Sequence, residues 1–294
     1  MERYKKIIPQ WESFIQAIKK GTTQTIRVNT LKITPSELKE RLEKKGWRIE
    51  ETEFDFAFRV KEERSIANTL EFYLGFFYIQ QLTSLLVVNV LEPKPEEKIL
   101  DLCAAPGGKT TFIAQLMKNR GLIVANEVNY KRQRALLANI YRLGVTNTIV
   151  TGFNGLFFPA DIKFDKVLVD VPCSAQANRV YKNQKIVDLK FIKRITPFQK
   201  GLLKKAIELV KLGGIVVYST CTFSPEENEE VIDSVLKEGK VIIEKIKLDF
   251  PCEKGIICWE GKKFDESLKL CLRVYPYHFY SGGGFIARLR KIKD

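Results

Sequence analysis

The chain has 294 residues, of which 45% are hydrophobic and 29% charged, a mixture that excludes a disordered or fibrous protein. Its 49 lysines and arginines exceed its 35 aspartates and glutamates, which gives a formal net charge of +14. So basic a chain points to a polyanionic partner, either nucleic acid or an anionic membrane, although a lysine-rich surface can also serve solubility alone. The excess lies in residues 98–294, which carry a net charge of +13.

The first 96 residues predict a small α+β unit. A strand is expected over TQTIRVNT (23–30), a helix with a Ser36 cap over SELKERLEKKGW (36–47), and a second strand over FDFAFRV (54–60). The proline- and glutamate-rich segment LEPKPEEK (91–98) predicts the joint to a second domain. We therefore divide the chain into an N-terminal domain, residues 1–96, and a larger domain, residues 97–294.

Neither a secretory signal nor a membrane span is expected. The first residues, MERYKKIIPQWESF, have no apolar core of the needed length. The most apolar run, residues 70–91, is interrupted by Glu71, Gln80, Gln81 and Asn89. These features predict a cytoplasmic protein, and we expect it to be a monomer.

Residues 97–294 alternate between short apolar runs and amphipathic segments. The runs predict strands at KILDLC (98–103), GLIVANE (121–127), NTIVTG (147–152), DKVLVDV (165–171) and GIVVYST (214–220). The segments predict helices at TTFIAQLMKNR, YKRQRALLANIYRLG, FQKGLLKKAIELVKLG and PEENEEVIDSVLKEG. This alternation indicates a doubly wound, Rossmann-like α/β sheet, which binds ligands beyond the carboxyl ends of its strands.

A glycine turn follows the first of these strands, in DLCAAPGGKTTF (101–112). Gly107 and Gly108 allow the backbone to approach a ligand closely before a helix begins. The spacing matches neither the P-loop nor the Gly-x-Gly-x-x-Gly dinucleotide pattern. Glu127 ends the second strand about twenty residues later, where a carboxylate commonly accepts hydrogen bonds from ribose. Turn and acid together predict an adenosine-containing ligand, with Asn154 beyond the third strand placed to contact the adenine edge.

Two cysteines follow neighbouring strands. Cys173 lies in DVPCS (170–174), beside Asp170, and Cys221 lies in STCTFSPEENE (219–229). Two thiols and a carboxylate in one crevice predict a chemical role for at least one thiol. No Cys-x-x-Cys pair occurs among the six cysteines, so we expect no metal site, although Cys252 and Cys258 are close enough to bridge if their loop folds back.

These motifs carry a family resemblance. DLCAAPGGKT, VPCS, YSTCTFSPEENEE and the closing GGGFIARLRK resemble the RNA cytosine-C5 methyltransferases that use S-adenosylmethionine. IRVNTLK, YIQQLTSLL and ANEVNYKRQRALLANIYRLGVTN are similar to the same family, so the resemblance runs from about residue 22 to the C-terminus. It implies a Rossmann-like methyltransferase domain beside a small N-terminal RNA-binding domain.

The resemblance also implies a mechanism. Carbon 5 of cytosine is too weak a nucleophile to accept a methyl group, and a thiolate adding to carbon 6 activates it. In the family the Thr-Cys thiol attacks, which corresponds to Cys221. The Pro-Cys thiol, Cys173, assists loss of the carbon-5 proton and release of the enzyme. Asp170 stabilises protonation at N3 of the ring, and Lys109 holds the base or lowers the pKa of a thiol.

The implied methyl-donor site follows from the same motifs, with Glu127 on the ribose and Arg132 nearby. Its expected members are Cys103, Ala104, Pro106, Gly107, Gly108, Lys109, Glu127, Arg132, Asn154 and Asp170.

The chain departs from the family at several positions. Ala175 and Ala177 stand where glycines are usual, Asn154 replaces an aspartate and Gly152 an asparagine. None of these removes a thiol, so we expect an active enzyme. An RNA-binding assembly factor with little or no activity is the alternative, and a DNA methyltransferase is a third reading that the Thr-Cys motif opposes.

The substrate is expected to be RNA. The layout fits transfer RNA best, with ribosomal RNA as the alternative. Residues 178–205 contain nine lysines and arginines, one acid and three aromatic residues. We expect this segment to face phosphates along the mouth of the active site.

Overall fold

A computed structural model describes residues 1–62, 64–182, 188–247 and 250–294. Near the N-terminus, these residues form a four-stranded antiparallel sheet with the order β2-β3-β1-β4. Its strands are β1 (Gln24–Val28), β2 (Ile49–Glu51), β3 (Ala57–Val60) and β4 (Phe77–Ile79). The helices of this region are α1 (Trp11–Lys20), α2 (Pro35–Glu43), α3 (Leu70–Tyr73) and α4 (Leu82–Leu91).

Helix α2 confirms the predicted helix but corrects its start. Thr34, rather than Ser36, is the N-cap, because the Thr34 hydroxyl accepts from the backbone of Glu37 while the Glu37 carboxylate accepts from the backbone of Thr34. Leu38 and Leu42 on its inner face are fully buried against the sheet.

The larger domain is built on a nine-stranded sheet in the described residues. Its central strands β7-β6-β5-β8-β9 are parallel, and β15 pairs antiparallel with β9. These and the peripheral strands are β5 (Lys98–Asp101), β6 (Leu122–Asn126), β7 (Thr148–Thr151), β8 (Phe164–Asp170), β9 (Val210–Thr220), β10 (Val241–Ile243), β11 (Glu253–Lys254), β14 (Leu272–Val274) and β15 (Gly284–Lys291). A separate two-stranded pair consists of β12 (Cys258–Trp259) and β13 (Lys262–Lys263).

Helices connect most of the parallel strands, as the alternating pattern predicts: α5 (Gly108–Leu116) joins β5 to β6, α6 (Tyr130–Leu143) joins β6 to β7, and α7 (Gln176–Arg179) and α8 (Leu189–Leu209) lie between β8 and β9. Of the other two helices, α9 (Glu229–Leu236) follows β9 and α10 (Pro276–Phe279) precedes β15. The chain order reverses between β5 and β8, so the carboxyl ends of these two strands border the crevice where such sheets bind ligands.

The N-terminal residues are not packed only on their own sheet. Tyr4 and Phe14 are buried with the core of the larger sheet, and α1 contacts α10. Helix α4 is buried almost all round and packs on α5 and β9. The predicted boundary at residues 96 and 97 stays a prediction, and α4 lies just before it as a buried connection between the sheets.

The basic segment 178–205 becomes a helix along most of its length. Helix α8 begins at Leu189, where the Asp188 carboxylate accepts from the backbone of Lys190 and Phe191, and it continues through Pro197. The predicted helix began only at Phe198, after the proline. Residues 183–187 of the basic segment, including Lys185, lie outside the described residues.

Across the described ranges, every helix is too short or too polar to cross a lipid bilayer.

Candidate active site

The end of the parallel sheet brings together the strand-end motifs. Strand β5 leads into the glycine turn before α5, β8 ends at Asp170, and β9 ends just before Cys221. Because these three strands are adjacent and parallel, the residues that follow them share one edge of the sheet.

Lys109 and Asp170 form an ion pair across the crevice, with Nζ 2.6 Å from Oδ2. The Ser219 hydroxyl donates to the other carboxylate oxygen of Asp170 at 2.7 Å. Burial alone lowers the pKa of Lys109, but the neighbouring carboxylate of Asp170 outweighs it and raises that pKa above its ordinary value. Lys109 is therefore a fixed cation in the crevice.

The two cysteine thiols face each other, with Cys173 Sγ 3.2 Å from Cys221 Sγ. The hydrogen bond with the Cys173 thiol lowers the pKa of Cys221 below its ordinary value, although burial and the Asp170 carboxylate oppose this, and the cation of Lys109 also lowers that pKa. The same hydrogen bond, together with burial, raises the pKa of Cys173. The pair thus favours a thiolate on Cys221 and a protonated thiol on Cys173, as expected if Cys221 is the nucleophile.

The loop that carries Cys173 is held by a buried carboxylate. The backbone N–H of Ser174 donates to Glu227 at 2.9 Å, and the Ser174 hydroxyl donates to the other oxygen of the same carboxylate. Gln199 from α8 donates to Glu227 and to the carbonyl oxygen of Pro172. Burial raises the pKa of Glu227. Glu227 lies in the SPEENEE motif, and the sequence reasoning gave it no role.

The loop that carries Cys221 is packed against the glycines at the start of β15. A Cβ at Gly284 would lie 2.3 Å from the carbonyl oxygen of Thr220, and a Cβ at Gly283 would lie 2.6 Å from the ring of Phe223. The closing GGGF motif therefore allows the last strand to approach the backbone next to Cys221.

The glycine turn after β5 is packed closely against side chains from other parts of the fold. Gly107 has φ +100° and caps α5, and a Cβ there would also meet Leu136 at 2.9 Å. A Cβ at Gly108 would meet the ring of Tyr78, from β4, at 2.9 Å. Packing alone thus accounts for both glycines, and close approach of a ligand stays a prediction.

Glu127 and Asn154 lie at the same edge of the sheet, beyond β6 and β7. The Glu127 carboxylate accepts from the backbone of Asn129 at 2.9 Å and pairs with Arg132 at 3.2 Å. Arg132 also donates to the carbonyl oxygen of Ala105 in the glycine turn, at 2.7 Å. Asn154 is exposed, and its side-chain oxygen accepts from the backbone of Leu156. The contact of Asn154 with the adenine edge stays a prediction.

Asp101 belongs to the site although the sequence reasoning passed over it. It ends β5 and is 1% exposed, and Thr110 donates to its Oδ2 at 2.7 Å. Within the described residues its other oxygen has no hydrogen-bond partner of good geometry, and the backbone of Cys103 lies near the carboxylate. Burial raises the pKa of Asp101 to about 6. The signal that identified Glu127, an acid at a strand end, also applies to Asp101.

Two adjoining cavities occupy the crevice, of about 540 and 370 Å³. The smaller one reaches Cys173, Cys221 and Arg132. Both are lined by Gln81, Ser84, Cys103, Ala105, Pro106, Lys109, Asp170 and Asn178. The predicted residues that line at least one of them are Cys103, Ala104, Pro106, Gly108, Lys109, Arg132, Asp170, Cys173 and Cys221.

The N-terminal sheet supplies one wall of the larger cavity, which local sequence patterns did not predict. Tyr78, Gln80 and Gln81 face Asn178 and Tyr181 from the segment after Cys173. Gln81 donates to the side-chain oxygen of Asn178 at 3.1 Å and so joins the two walls.

The remaining cysteines show no bridge. All six thiols are free, so Cys252 and Cys258 are not paired in this structure, and burial raises the pKa of Cys252. The described part of the chain also contains no cluster of three or more His, Cys, Asp or Glu side chains arranged to hold a metal ion.

This fold and site define a class of protein. A parallel sheet with reversed strand order, a glycine turn after its first strand, an acid after its second and an antiparallel closing strand form the Rossmann-like methyltransferase architecture.

Comparisons with known proteins agree with that class. The family model of the 16S rRNA methyltransferases RsmB/F matches residues 88–290, and that of the N-terminal domain of 16S rRNA methyltransferase RsmF matches residues 1–82. The chain therefore belongs to the RsmB/F methyltransferase family.

Individual relatives differ in their substrates. The chain is 37% identical to the tRNA (cytosine(49)-C(5))-methyltransferase of Pyrococcus abyssi, over 99% of this chain and 95% of that protein. It is also 37% identical to ribosomal RNA small subunit methyltransferase F of Aeromonas salmonicida, over 95% of this chain but only 60% of that protein. The crystal structure of NSun6 from Pyrococcus horikoshii with SFG has a TM-score of 0.86 and 27% identity, covering 100% of this chain and 97% of that one.

Proposed function

We propose that this protein transfers a methyl group from S-adenosylmethionine to carbon 5 of cytosine in RNA, through a covalent bond between Cys221 and carbon 6. The observation that carries the proposal is the thiol pair beside the Lys109–Asp170 ion pair. The membership in the RsmB/F family and the relatives named as RNA cytosine-C5 methyltransferases support the reaction class.

The residues around the glycine turn suit the methyl donor. S-Adenosylmethionine carries an ammonium group, for which the unpartnered buried oxygen of Asp101 is a fitting acceptor. Glu127 offers a carboxylate for ribose hydroxyls, and SFG, an analogue of the donor, is bound in the similarly folded NSun6 structure. When bound, the donor supplies an electrophilic methyl group.

The protein's own residues then carry the reaction on the base. The Cys221 thiolate forms a bond to carbon 6, while Asp170 stabilises the protonated N3 and Lys109 keeps the thiolate charged. Carbon 5 becomes nucleophilic and accepts the methyl group. Once Cys221 is bonded to carbon 6, Cys173 no longer shares a proton with a thiolate, so it can lose its own proton to water and accept the carbon-5 proton. The electron pair left at carbon 5 re-forms the double bond to carbon 6, the bond between Sγ and carbon 6 breaks, and the thiolate of Cys221 is restored.

Transfer RNA is the substrate that we favour. The relative named for tRNA matches this chain over nearly the whole of both proteins, whereas the ribosomal RNA enzyme of Aeromonas salmonicida is considerably longer than the matched part. Ribosomal RNA is the alternative, since both family models bear the names of 16S rRNA enzymes. Bisulfite sequencing of RNA from cells with and without the gene decides between them. The cytoplasmic location and the monomeric state stay predictions.

The covalent step is tested by trapping. We expect Cys173→Ala to accumulate an enzyme–RNA adduct on a denaturing gel, because release fails after attack. Cys221→Ala should form no adduct and transfer no methyl group, while still binding the methyl donor. Cys258→Ala changes an exposed thiol outside the crevice and serves as the matched control.

Three outcomes would contradict the proposal. An adduct with Cys221→Ala and none with Cys173→Ala would reverse the two roles. Donor binding without methyl transfer to any RNA would favour the assembly factor, and transfer to a DNA strand of the same sequence would favour the DNA enzyme.

A further inference from the structure

Arg27 joins the N-terminal sheet to the first turn of α5. It lies on β1, within the IRVNTLK motif, and is 1% exposed. Its Nη1 donates to the carbonyl oxygen of Gly108 at 2.7 Å and to the side chain of Gln80 at 2.9 Å. Its Nη2 donates to the Thr111 hydroxyl at 2.9 Å. One side chain therefore contacts both walls of the larger cavity.

The burial of the Arg27 guanidinium is unfavourable, because the charged group loses its hydration. Among the described residues it forms no ion pair with an acid, although its cation lies 5.0 Å from the ring centre of Phe112 and 5.6 Å from that of Tyr78. Burial lowers the pKa of Arg27 to about 9, so the group is still charged at neutral pH. Apolar side chains would hold two surfaces together with less desolvation. The packing of the N-terminal sheet on α5 therefore does not by itself explain why an arginine occupies this position.

Other contacts already dock the N-terminal sheet. Asn29 donates to the carbonyl oxygen of Leu143 at 2.8 Å, and Lys32 donates to that of Arg142 at 2.7 Å. These bonds hold the sheet to the C-terminal end of α6. The contact made by Arg27 differs because it reaches residues 108–111, the turn that presents Lys109.

We propose that Arg27 is a positioning residue for methyl transfer. Its hydrogen bonds hold two parts of the cavity wall in place, the turn that carries Lys109 and the side chain of Gln80. The inference rests on the proposed function, in which Lys109 lies beside the attacking thiol. Through this contact the N-terminal sheet becomes part of the catalytic site as well as a surface for RNA.

The test compares Arg27→Met with Lys32→Met in the full-length protein. Both variants remove a cation from the same interface, but only Arg27→Met loosens the turn at residues 108–111. We expect Arg27→Met to lower kcat on the target RNA about tenfold or more, with a smaller change in KM, because misplacement of a catalytic group acts on the chemical step. Lys32→Met should keep kcat within about twofold of the wild type at a similar melting temperature.

Hydrogen exchange gives a readout that does not depend on activity. The backbone amides of residues 107–112 should exchange faster in Arg27→Met and at the wild-type rate in Lys32→Met. Arg27→Lys, which keeps one donor, should fall between the wild type and Arg27→Met in both measurements.

The outcomes separate this inference from the proposed function. If wild-type protein methylates no RNA, the proposed function fails, and the exchange experiment still decides the role of Arg27 in the turn. If the wild type is active and kcat in the two methionine variants falls in parallel with their melting temperatures, Arg27 is only a structural contact. Unchanged exchange at residues 107–112 would overturn the positioning role as well.

Discussion

The two thiols in the crevice are chemically alike but lie in different electrostatic surroundings. Cys221 accepts a hydrogen bond from Cys173 and lies near the cation of Lys109, and both influences lower its pKa. Cys173 donates that bond, which together with burial raises its own pKa. A protein that needs one thiolate and one thiol in the same site can obtain them in this way from two cysteines.

This difference predicts the pH dependence of alkylation. Since the thiolate is the reactive form, Cys221 should react with iodoacetamide at lower pH than Cys173. Lys109→Met removes the cation and Cys173→Ala removes the donor, so each should move the profile of Cys221 to higher pH. Mass spectrometry of peptides assigns the alkylated thiol, and exposed Cys258 provides the internal reference. A profile of Cys221 that does not move in either variant would contradict this electrostatic account.

Glu127 offers a second test at the residue scale. Loss of a charged hydrogen bond to ribose costs about 1.5–3 kcal/mol, which weakens affinity roughly ten- to a hundredfold. Glu127→Gln retains an oxygen that can accept from the backbone of Asn129, so the local fold should persist. Calorimetry with S-adenosylmethionine measures the change, and thermal unfolding checks the fold. A folded variant with wild-type affinity would locate the donor elsewhere.

At the scale of elements, short apolar runs predicted the parallel strands well, because the central strands β5, β6 and β8 are largely buried on both faces. The outer strand β7 is less buried, and its Ile149 is exposed. The starts of helices were predicted less well. Thr34 displaces Ser36 as a cap because its capping box with Glu37 satisfies both backbone donors. Helix α8 passes through Pro197 because Ile192, Thr196 and Gln199 are buried on both sides of the proline, so tertiary packing outweighs its local preference.

The element after β8 contains two alanines where the family usually has glycine, and they differ in conformation. Ala175 has φ +52°, a left-handed conformation that costs an L-residue roughly 1–2 kcal/mol. Ala177 is fully buried in α7, and its N–H donates to the carbonyl oxygen of Cys221 at 3.1 Å. The two positions should therefore respond in opposite ways to glycine.

We expect Ala175→Gly to stabilise the protein by up to about 1 kcal/mol, since relief of strain exceeds the added freedom of the unfolded chain. Ala177→Gly should destabilise it by about 1 kcal/mol or more, through the lost methyl group and the greater flexibility of the helix. Urea unfolding at constant m-value measures both changes. Equal effects of the two substitutions would show that the left-handed conformation at Ala175 stores no strain.

At the scale of the whole molecule, the parts of the site that local patterns missed are those joined over long distances in the chain. Arg27 and Gly108 are 81 residues apart, and Gln81 and Asn178 are 97 apart. Motifs at strand ends could be predicted because parallel strands bring their carboxyl ends together. No comparable rule predicts where the N-terminal sheet docks. Its contribution to the cavity wall is therefore visible only in the structure.

The basic side chains of α8 also fall into two groups, paired and unpaired with acids, which the composition alone does not distinguish. In the second half of α8, Lys200 pairs with Glu230, Lys204 with Glu238 and Lys205 with Glu208. In the first half, Lys190, Lys193 and Arg194 are exposed and form no ion pair with any acid of the described ranges. Phosphate contacts are therefore expected from the first half of α8.

Neutralising Lys190, Lys193 and Arg194 together should weaken RNA binding and flatten its dependence on salt. Each phosphate contact adds roughly 0.7–0.9 units to the log–log slope of affinity against salt, so the slope of the triple glutamine variant should be smaller by the amount expected for about two to three contacts.

The matched control neutralises Lys200, Lys204 and Lys205, whose charges already face acids, and it should change the slope much less. Affinity for S-adenosylmethionine should be unchanged in both, because neither set lines the crevice. Binding titrations at several salt concentrations provide the slopes. If the first triple variant kept the wild-type slope, these residues would belong to a solvated helix that packs through Phe191 and Ile195, and the RNA surface would lie on the N-terminal sheet.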